Sequence, residues 1–371
     1  MQLTGAAHTG ARLLAAALAL PGVALAQTPP ERASVTFKYL DYLDSQPGAE
    51  RVRVKAPALS VLAPVGDTWS VSGWVMSDSI SGASPAYHTR ALSKLQDERH
   101  AVEASATRYG ERSSVTVGAQ YSTEADYVSR NVSAQATLAS TDRNTTGSAG
   151  LGYSRDSINP VTRAVVGESK RVLQAVLGVT QVLSPLDIVM LNLGHTRGRG
   201  YFSDPYKVFD NRPRERNHST VMLRWNHHFA GTESTLRSSY RYYRDSFAVR
   251  AHTLGLELVQ PLAYGFSVAP LLRLYDQSAA RFYVDADAST APFPPNPPDD
   301  AVYFSEDQRL SAFGARTLGL KVIKQLSADW SVDFKIERYE QRGAWRVAGS
   351  GSPGLAPFRA RSYQLGVTHS F

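Results

Sequence analysis

Apolar and polar side chains alternate at a period of two over segment after segment of this chain, and nothing else in it constrains the fold as strongly. Trp330, Val332, Phe334 and Ile336 alternate with Ser331, Asp333, Lys335 and Glu337. Leu254, Leu256 and Leu258 alternate with Thr253, Gly255 and Glu257. Val221, Leu223, Trp225 and Phe229 alternate with Met222, Arg224, Asn226 and His228, and Leu236, Tyr240 and Tyr242 with Arg237, Ser239 and Arg241. Successive side chains of an extended strand point to opposite faces, so each segment has one apolar face and one charged face. Two architectures accept such strands. A soluble sandwich covers its apolar faces with a second sheet. A membrane barrel turns them to lipid and encloses the polar faces around water.

Composition removes other classes. With 43% hydrophobic residues the chain of 371 can build a core, which excludes intrinsic disorder. Mean hydropathy is −0.26, and beyond residue 26 no apolar run approaches the ~18–20 residues of a membrane-spanning helix. A barrel passes that test, because alternation dilutes its apolar residues. The absence of cysteine rules out disulfides, thiolate metal sites and cysteine nucleophiles.

Residues 1–26 read as a secretory signal peptide. Arg12 is their one charged side chain, Leu13–Leu20 is continuously apolar, and Ala24-Leu25-Ala26 places cleavage after Ala26. Export without cysteine points to a Gram-negative envelope, with net charge falling from +7 to +6. Residues 27–32 are then a short periplasmic lead-in, and 33–371 the barrel.

About sixteen antiparallel strands fit, with fourteen to eighteen open, near 33–43, 51–63, 67–77, 97–109, 112–121, 126–139, 145–156, 168–183, 186–197, 217–229, 232–246, 248–261, 265–277, 307–325, 328–340 and 359–371. Connections after even strands are short. The long ones, 78–96, 157–168, 198–216, 278–306 and 341–358, all follow odd strands. Short periplasmic turns and long extracellular loops are the asymmetry of an outer-membrane barrel, which a sandwich has no reason to show. In the last strand Tyr363, Leu365, Val367 and Phe371 share one face, as in the C-terminal signal read by the barrel-assembly machinery, with His369 departing from that pattern.

The inward register gathers Arg224, Arg237, Arg241, Glu257, Arg273, Asp333, Lys335 and Glu337 as lumen or constriction candidates. Arg224, Arg237 and Arg241 on neighbouring strands would favour anions. The connection 198–216, containing GYFSDPYKVFDNRPRER, is basic and aromatic. Its candidates are Tyr201, Phe202, Asp204, Tyr206, Phe209 and Arg212, either packed into the lumen as a constriction or set against lipopolysaccharide phosphates at the rim. The segment 281–306 is acidic, with Asp285, Asp287, Asp299, Asp300 and Glu306. It reads as a solvated loop rather than a calcium site, and contains the Pro-rich tract 291–298. His227 and His228 point to opposite strand faces and cannot share a metal through that strand alone. No nucleophile–base motif stands out, so no enzyme, cofactor or metal is expected. The basic charge of an exported barrel is not a nucleic-acid signal.

Three stretches carry a family resemblance: SISGASPA at Ser79–Ala86, YFSDPYKVFDNRP opening Tyr201–Arg216, and SYRYYRDSF around Tyr240–Asp245, followed by His252 and Glu257. Together they resemble an uncharacterised family of proteobacterial envelope proteins, filed as a domain of unknown function. The resemblance implies an outer-membrane-type β protein without an assigned activity, in an envelope redox or flavinylation setting. The sequence thus leads to a porin-like passive channel for small solutes with mild anion preference, its mouth shaped by 198–216 and 79–86. The alternative is a closed barrel serving as partner or scaffold for an envelope redox protein. Outer-membrane lipid, lipopolysaccharide and the assembly machinery complete the expected partners.

Overall fold

A computed structural model describes residues 28–82, 95–207, 209–285 and 297–371. The signal peptide at 1–26, most of the Pro-rich tract, Asp287 and the second half of 79–86 lie outside the described residues. The strands are β1 (Ser34–Gln46), β2 (Ala49–Val65), β3 (Trp69–Gly82), β4 (Leu95–Tyr109), β5 (Ser113–Thr123), β6 (Tyr127–Ala139), β7 (Thr145–Ile158), β8 (Glu168–Ser184), β9 (Asp187–Gly200), β10 (Asp210–Asn211), β11 (Glu215–Phe229), β12 (Ser234–Asp245), β13 (Arg250–Pro261), β14 (Phe266–Gln277), β15 (Phe304–Ser305), β16 (Phe313–Gln325), β17 (Trp330–Arg342) and β18 (Phe358–Ser370).

Sixteen of them pair antiparallel into one closed barrel, and β10 and β15 form a separate two-stranded ribbon. Closure is made by β1 against β18, from Ser34↔Ser370 to Ser45↔Arg359. It leaves no free edge, as a lipid environment demands. At the seam the Ala33 N–H donates to the Phe371 carbonyl and the Phe371 N–H to the Ala33 carbonyl, both at 2.9 Å. Both ends of the barrel chain thus sit at the short-turn end, and the long connections gather at the other. The aromatic, aliphatic band turned outward includes Phe37, Leu59, Val132, Leu151, Leu177, Leu223, Leu320, Phe334 and Leu365, all exposed.

Sequence and structure differ at several places; β3 runs to Gly82, so Ser79–Gly82 of the expected connection 78–96 are strand, and the β10–β15 ribbon lies within the expected loops. The strand expected over 307–325 starts at Phe313. Its first residues form a tight turn, Gln308–Leu310, capped by the Asp307 carboxylate accepting from the Arg309 N–H. Alternation does not distinguish a buried turn from an extended end. The inner wall is also not polar all round. In the mouth half of β2 the two faces exchange character: Arg53 and Lys55 face out, while Val52, Val54, Ala56 and Ala58 are buried inside with Leu40, Tyr42, Met76, Ala101, Phe358 and Ala360. Above the hydrocarbon an outward side chain meets headgroups and water, so charge is tolerated there. The inward side chains then supply a packed apolar sector beside the seam.

Candidate functional site

All eight lumen candidates lie on the inward face, spread over β11 to β14 and β17. Three ion pairs consume most of their charge. Arg237 donates to Glu257 at 2.9 Å, Lys335 meets Glu337 at 3.0 Å, and Lys321 meets Asp333 at 3.7 Å. Arg224, Arg241 and Arg273 remain without a carboxylate at ion-pair distance among the described residues; Arg241 has only a long contact to Thr253, at 3.5 Å. Register explains their proximity. Arg224 sits opposite Ser239, Ser239 opposite Gly255, and Gly255 opposite Arg273, while Arg241 lies between Met222 and Thr253. The small residues between the arginines leave their guanidinium groups room, and the result is a cationic patch on one wall.

The opposing wall, β4 to β9, mixes Ser, Thr, Gly, Asn and Gln with inward Val172, Val176, Val182, Ile188 and Met190, and Glu103 is the one inward acid below its mouth end among the described residues. Inward-facing Ser133, Gln135 and Gln174 are exposed, and Val176 is 45% exposed. An inward side chain reached by solvent marks water-accessible space. The lumen is therefore packed beside the seam and wet along β6 to β8, the arrangement a wide barrel allows.

Two loops lean over the mouth. The connection from β9 to β11 follows Gly200, whose φ of +128° and close approach suit glycine alone: a Cβ there would meet the Ser169 carbonyl at 2.1 Å. Tyr201 then lies under the exposed Arg214, and Phe202 turns inward. Phe202 packs edge-on against Phe247 at 6.4 Å, beside the buried cluster of Tyr243, Val249, Phe282 and Leu310. The Tyr206 hydroxyl donates to Asp126 at 2.5 Å in the turn between β5 and β6. From the other side, the connection from β14 to β16 reaches β1, where Gln46 donates to Gln308 at 3.2 Å. Together the loops bridge the mouth from β1 to the β5–β6 turn.

Their junction is a chain of alternating charges. Arg309 donates to Asp204 at 2.9 Å and also binds Asp307; Arg212 donates to Asp307 at 2.6 Å and to Asp210 at 2.8 Å. The ribbon β10–β15 runs alongside, with the Glu306 N–H donating to the Phe209 carbonyl at 3.1 Å. Burial pushes the Asp307 carboxyl up, but Arg309, Lys207 and Arg212 outweigh it and hold the group well below the usual carboxylate range. Asp204 follows the same pattern, with Arg309 and Lys207 prevailing over burial. At Asp210 burial prevails over Arg212 and the carboxyl is raised. Burial and the nearby Asp210 and Asp204 push the Tyr201 phenol up to about 12.

All six loop candidates thus lie in or beside this clamp. Sequence reasoning missed Asp307 and Arg309, which it had assigned to a strand. It found a basic connection and an acidic one without pairing them, although their opposite charge was the available signal. The C-terminal residues Tyr363, Leu365 and Phe371 are exposed on the outer face, and His369 stacks on Trp330 at 4.3 Å between centroids. His227 faces out and approaches Asp187 at 2.8 Å, while His228 faces in and approaches Thr235 at 3.1 Å.

This closed sixteen-stranded barrel, with its lipid-facing band and partly wet, charged lumen, defines an outer-membrane-type, porin-like β-barrel. A family model described as "Protein of unknown function (DUF3570)" matches residues 86–169 and 161–362, and the chain belongs to that family. No curated protein matches the sequence. Solved structures similar in fold include a bacterial polysaccharide outer membrane secretin, at TM-score 0.53 and 9% identity over 91% of this chain and 98% of that one. CdiB from Acinetobacter baumannii aligns at TM-score 0.51 and 8% identity over 91% of this chain and 60% of that one. An anion-selective porin from Comamonas acidovorans aligns at TM-score 0.44 and 12% identity over 92% and 98% of the two chains.

Proposed function

We propose that the protein is a passive outer-membrane channel for small solutes with a mild preference for anions. The observation that carries this reading is the patch of Arg224, Arg241 and Arg273, which have no carboxylate partner among the described residues and face a nearly neutral wall across wet lumen. Unpaired cations in a low-dielectric wall raise the local anion concentration and the entry rate of anions. The loop clamp sets the width of the mouth above them. Proteoliposomes containing the purified barrel should swell in iso-osmotic small sugars and faster in small organic anions than in cations of equal size. Liposomes that do not swell in any of these solutes would refute the channel.

Assembly fits the same reading. Tyr363, Leu365, Val367 and Phe371 would present the outer face of the closing strand to the barrel-assembly machinery.

A further inference from the structure

A row of arginines crosses the outside of the barrel just above its apolar band. Arg130 on β6 pairs in register with Arg155 on β7, Arg155 with Arg171 on β8, and Arg171 with Arg199 on β9. All four side chains face outward and are exposed, and Arg197 joins them one step below Arg199. Directly opposed side chains on neighbouring strands have Cβ atoms about 4.5–5.5 Å apart, and like charges at that spacing repel.

The row is neutralised from within only at Arg199 among the described residues. Arg199 meets Glu215 at 3.0 Å, and Arg130 stacks over Tyr121 at 5.7 Å. Arg155, Arg171 and Arg197 have no carboxylate at ion-pair distance among the described residues. With Arg199 held by Glu215, Arg130, Arg155 and Arg171 remain as three like charges opposed along one row, and they call for an anion from outside the chain.

Its height identifies that anion. On β6, β7 and β8 the arginine is the next outward residue beyond Val132, Tyr153 and Leu173; on β7 and β8 these are the last outward apolar residues toward the mouth, and on β6 the half-buried Val128 lies above Arg130. On β8 the exposed apolar face begins at Leu183 and ends at Leu173. That run is about 33 Å of strand at ~3.3 Å per residue. It becomes about 25 Å of membrane depth at the usual barrel tilt, the height of the apolar band. Arg171 and its neighbours therefore stand at the upper edge of the hydrocarbon, on the long-loop side, where the phosphates of the outer leaflet lie.

We propose that the outward row Arg130, Arg155, Arg171 and Arg199, with Arg197, is a binding site for the phosphate groups of lipid A in the outer leaflet, its acyl chains lying against Val132, Tyr153 and Leu173. Guanidinium groups bind phosphate oxygens in bidentate fashion, and adjacent strands present them in a line that a doubly phosphorylated headgroup can bridge.

Native mass spectrometry of the detergent-solubilised full chain tests the site. Titration with bisphosphorylated hexa-acyl lipid A should give a saturable adduct. Enzymatically dephosphorylated lipid A should bind at least a hundredfold more weakly, and inorganic phosphate should displace the adduct only at concentrations at least a hundredfold higher. The double variant Arg155→Gln/Arg171→Gln should lose about tenfold or more in affinity per arginine. Arg108→Gln, an outward arginine at the short-turn end of β4, should leave it unchanged. Equal binding of the dephosphorylated lipid, equal binding by the double variant, or displacement by phosphate at equal concentration would each overturn the proposal. The dephosphorylation arm needs only the wild-type protein, so it decides the matter even if the double variant does not fold.

Discussion

Arg212 and Arg214 stand two residues apart in one loop, and their environments predict opposite sensitivities. The Arg212 side chain is 9% exposed and binds Asp210 and Asp307, whose side chains are 0% and 1% exposed. Arg214 is 60% exposed and binds Glu168 from solvent. Removing one partner of a buried pair leaves an uncompensated charge and costs about 3–5 kcal/mol. Arg212→Gln strands the buried Asp210 and leaves Asp307 to Arg309 alone, so that range applies to the opening of the clamp. At about 1.4 kcal/mol per decade it raises the open population roughly a hundredfold to a few thousandfold. An exposed pair contributes about 0–1 kcal/mol, so Arg214→Gln should raise it by about fivefold at most. Trypsin cleavage after Lys207 in the folded barrel reads this population directly when reclosing is faster than cutting. Similar cleavage rates for the two variants would refute the view that buried charge pairing, rather than general loop packing, closes the mouth.

Charge reversal by Arg224→Glu with Arg241→Glu turns the unpaired cationic wall anionic. The reversal potential in a salt gradient should move toward cation preference without loss of conductance. The clamp should also respond to acid with a defined sign. Asp307 and Asp204 carry lowered folded-state pKa values, so the stability they add is fully present above the ordinary value of 3.8 and is lost as pH falls through the lowered values. Protonation of the raised Asp210 carboxyl relieves its burial and works against opening as pH first falls, so loop-opening transitions in single-channel records should rise steeply only below about pH 4. Deleting Phe371 removes two seam hydrogen bonds to Ala33 and the terminal aromatic residue. The fraction of chain running as a heat-modifiable folded barrel in isolated membranes should fall severalfold.

The barrel was legible because lipid imposes one rule on every strand. Leu254, Leu256 and Leu258 must face out, so Thr253, Gly255 and Glu257 must face in, and each segment repeats the lesson independently. Loop sorting supplied closure and orientation. The lumen arginines followed from the same parity. What escaped lies where the rule stops. Above the hydrocarbon edge Arg53 and Lys55 turn outward and Val54 and Ala56 turn inward, because neither face meets lipid tails there. Asp307 and Arg309 belong to a turn whose partners, Asp204 and Arg212, are about a hundred residues away in sequence, and no local period links them. The outer arginine row needed the strand register, since Arg130, Arg155, Arg171 and Arg199 are unremarkable until four neighbouring strands bring them into line.

The most direct test of the channel itself is single-channel recording of the purified barrel in a planar bilayer under a potassium chloride gradient. The unpaired Arg224, Arg241 and Arg273 predict discrete conductance steps with a reversal potential displaced modestly toward the chloride equilibrium. An absence of steps at every salt concentration would contradict an open lumen, and a reversal potential displaced toward potassium would contradict the cationic wall.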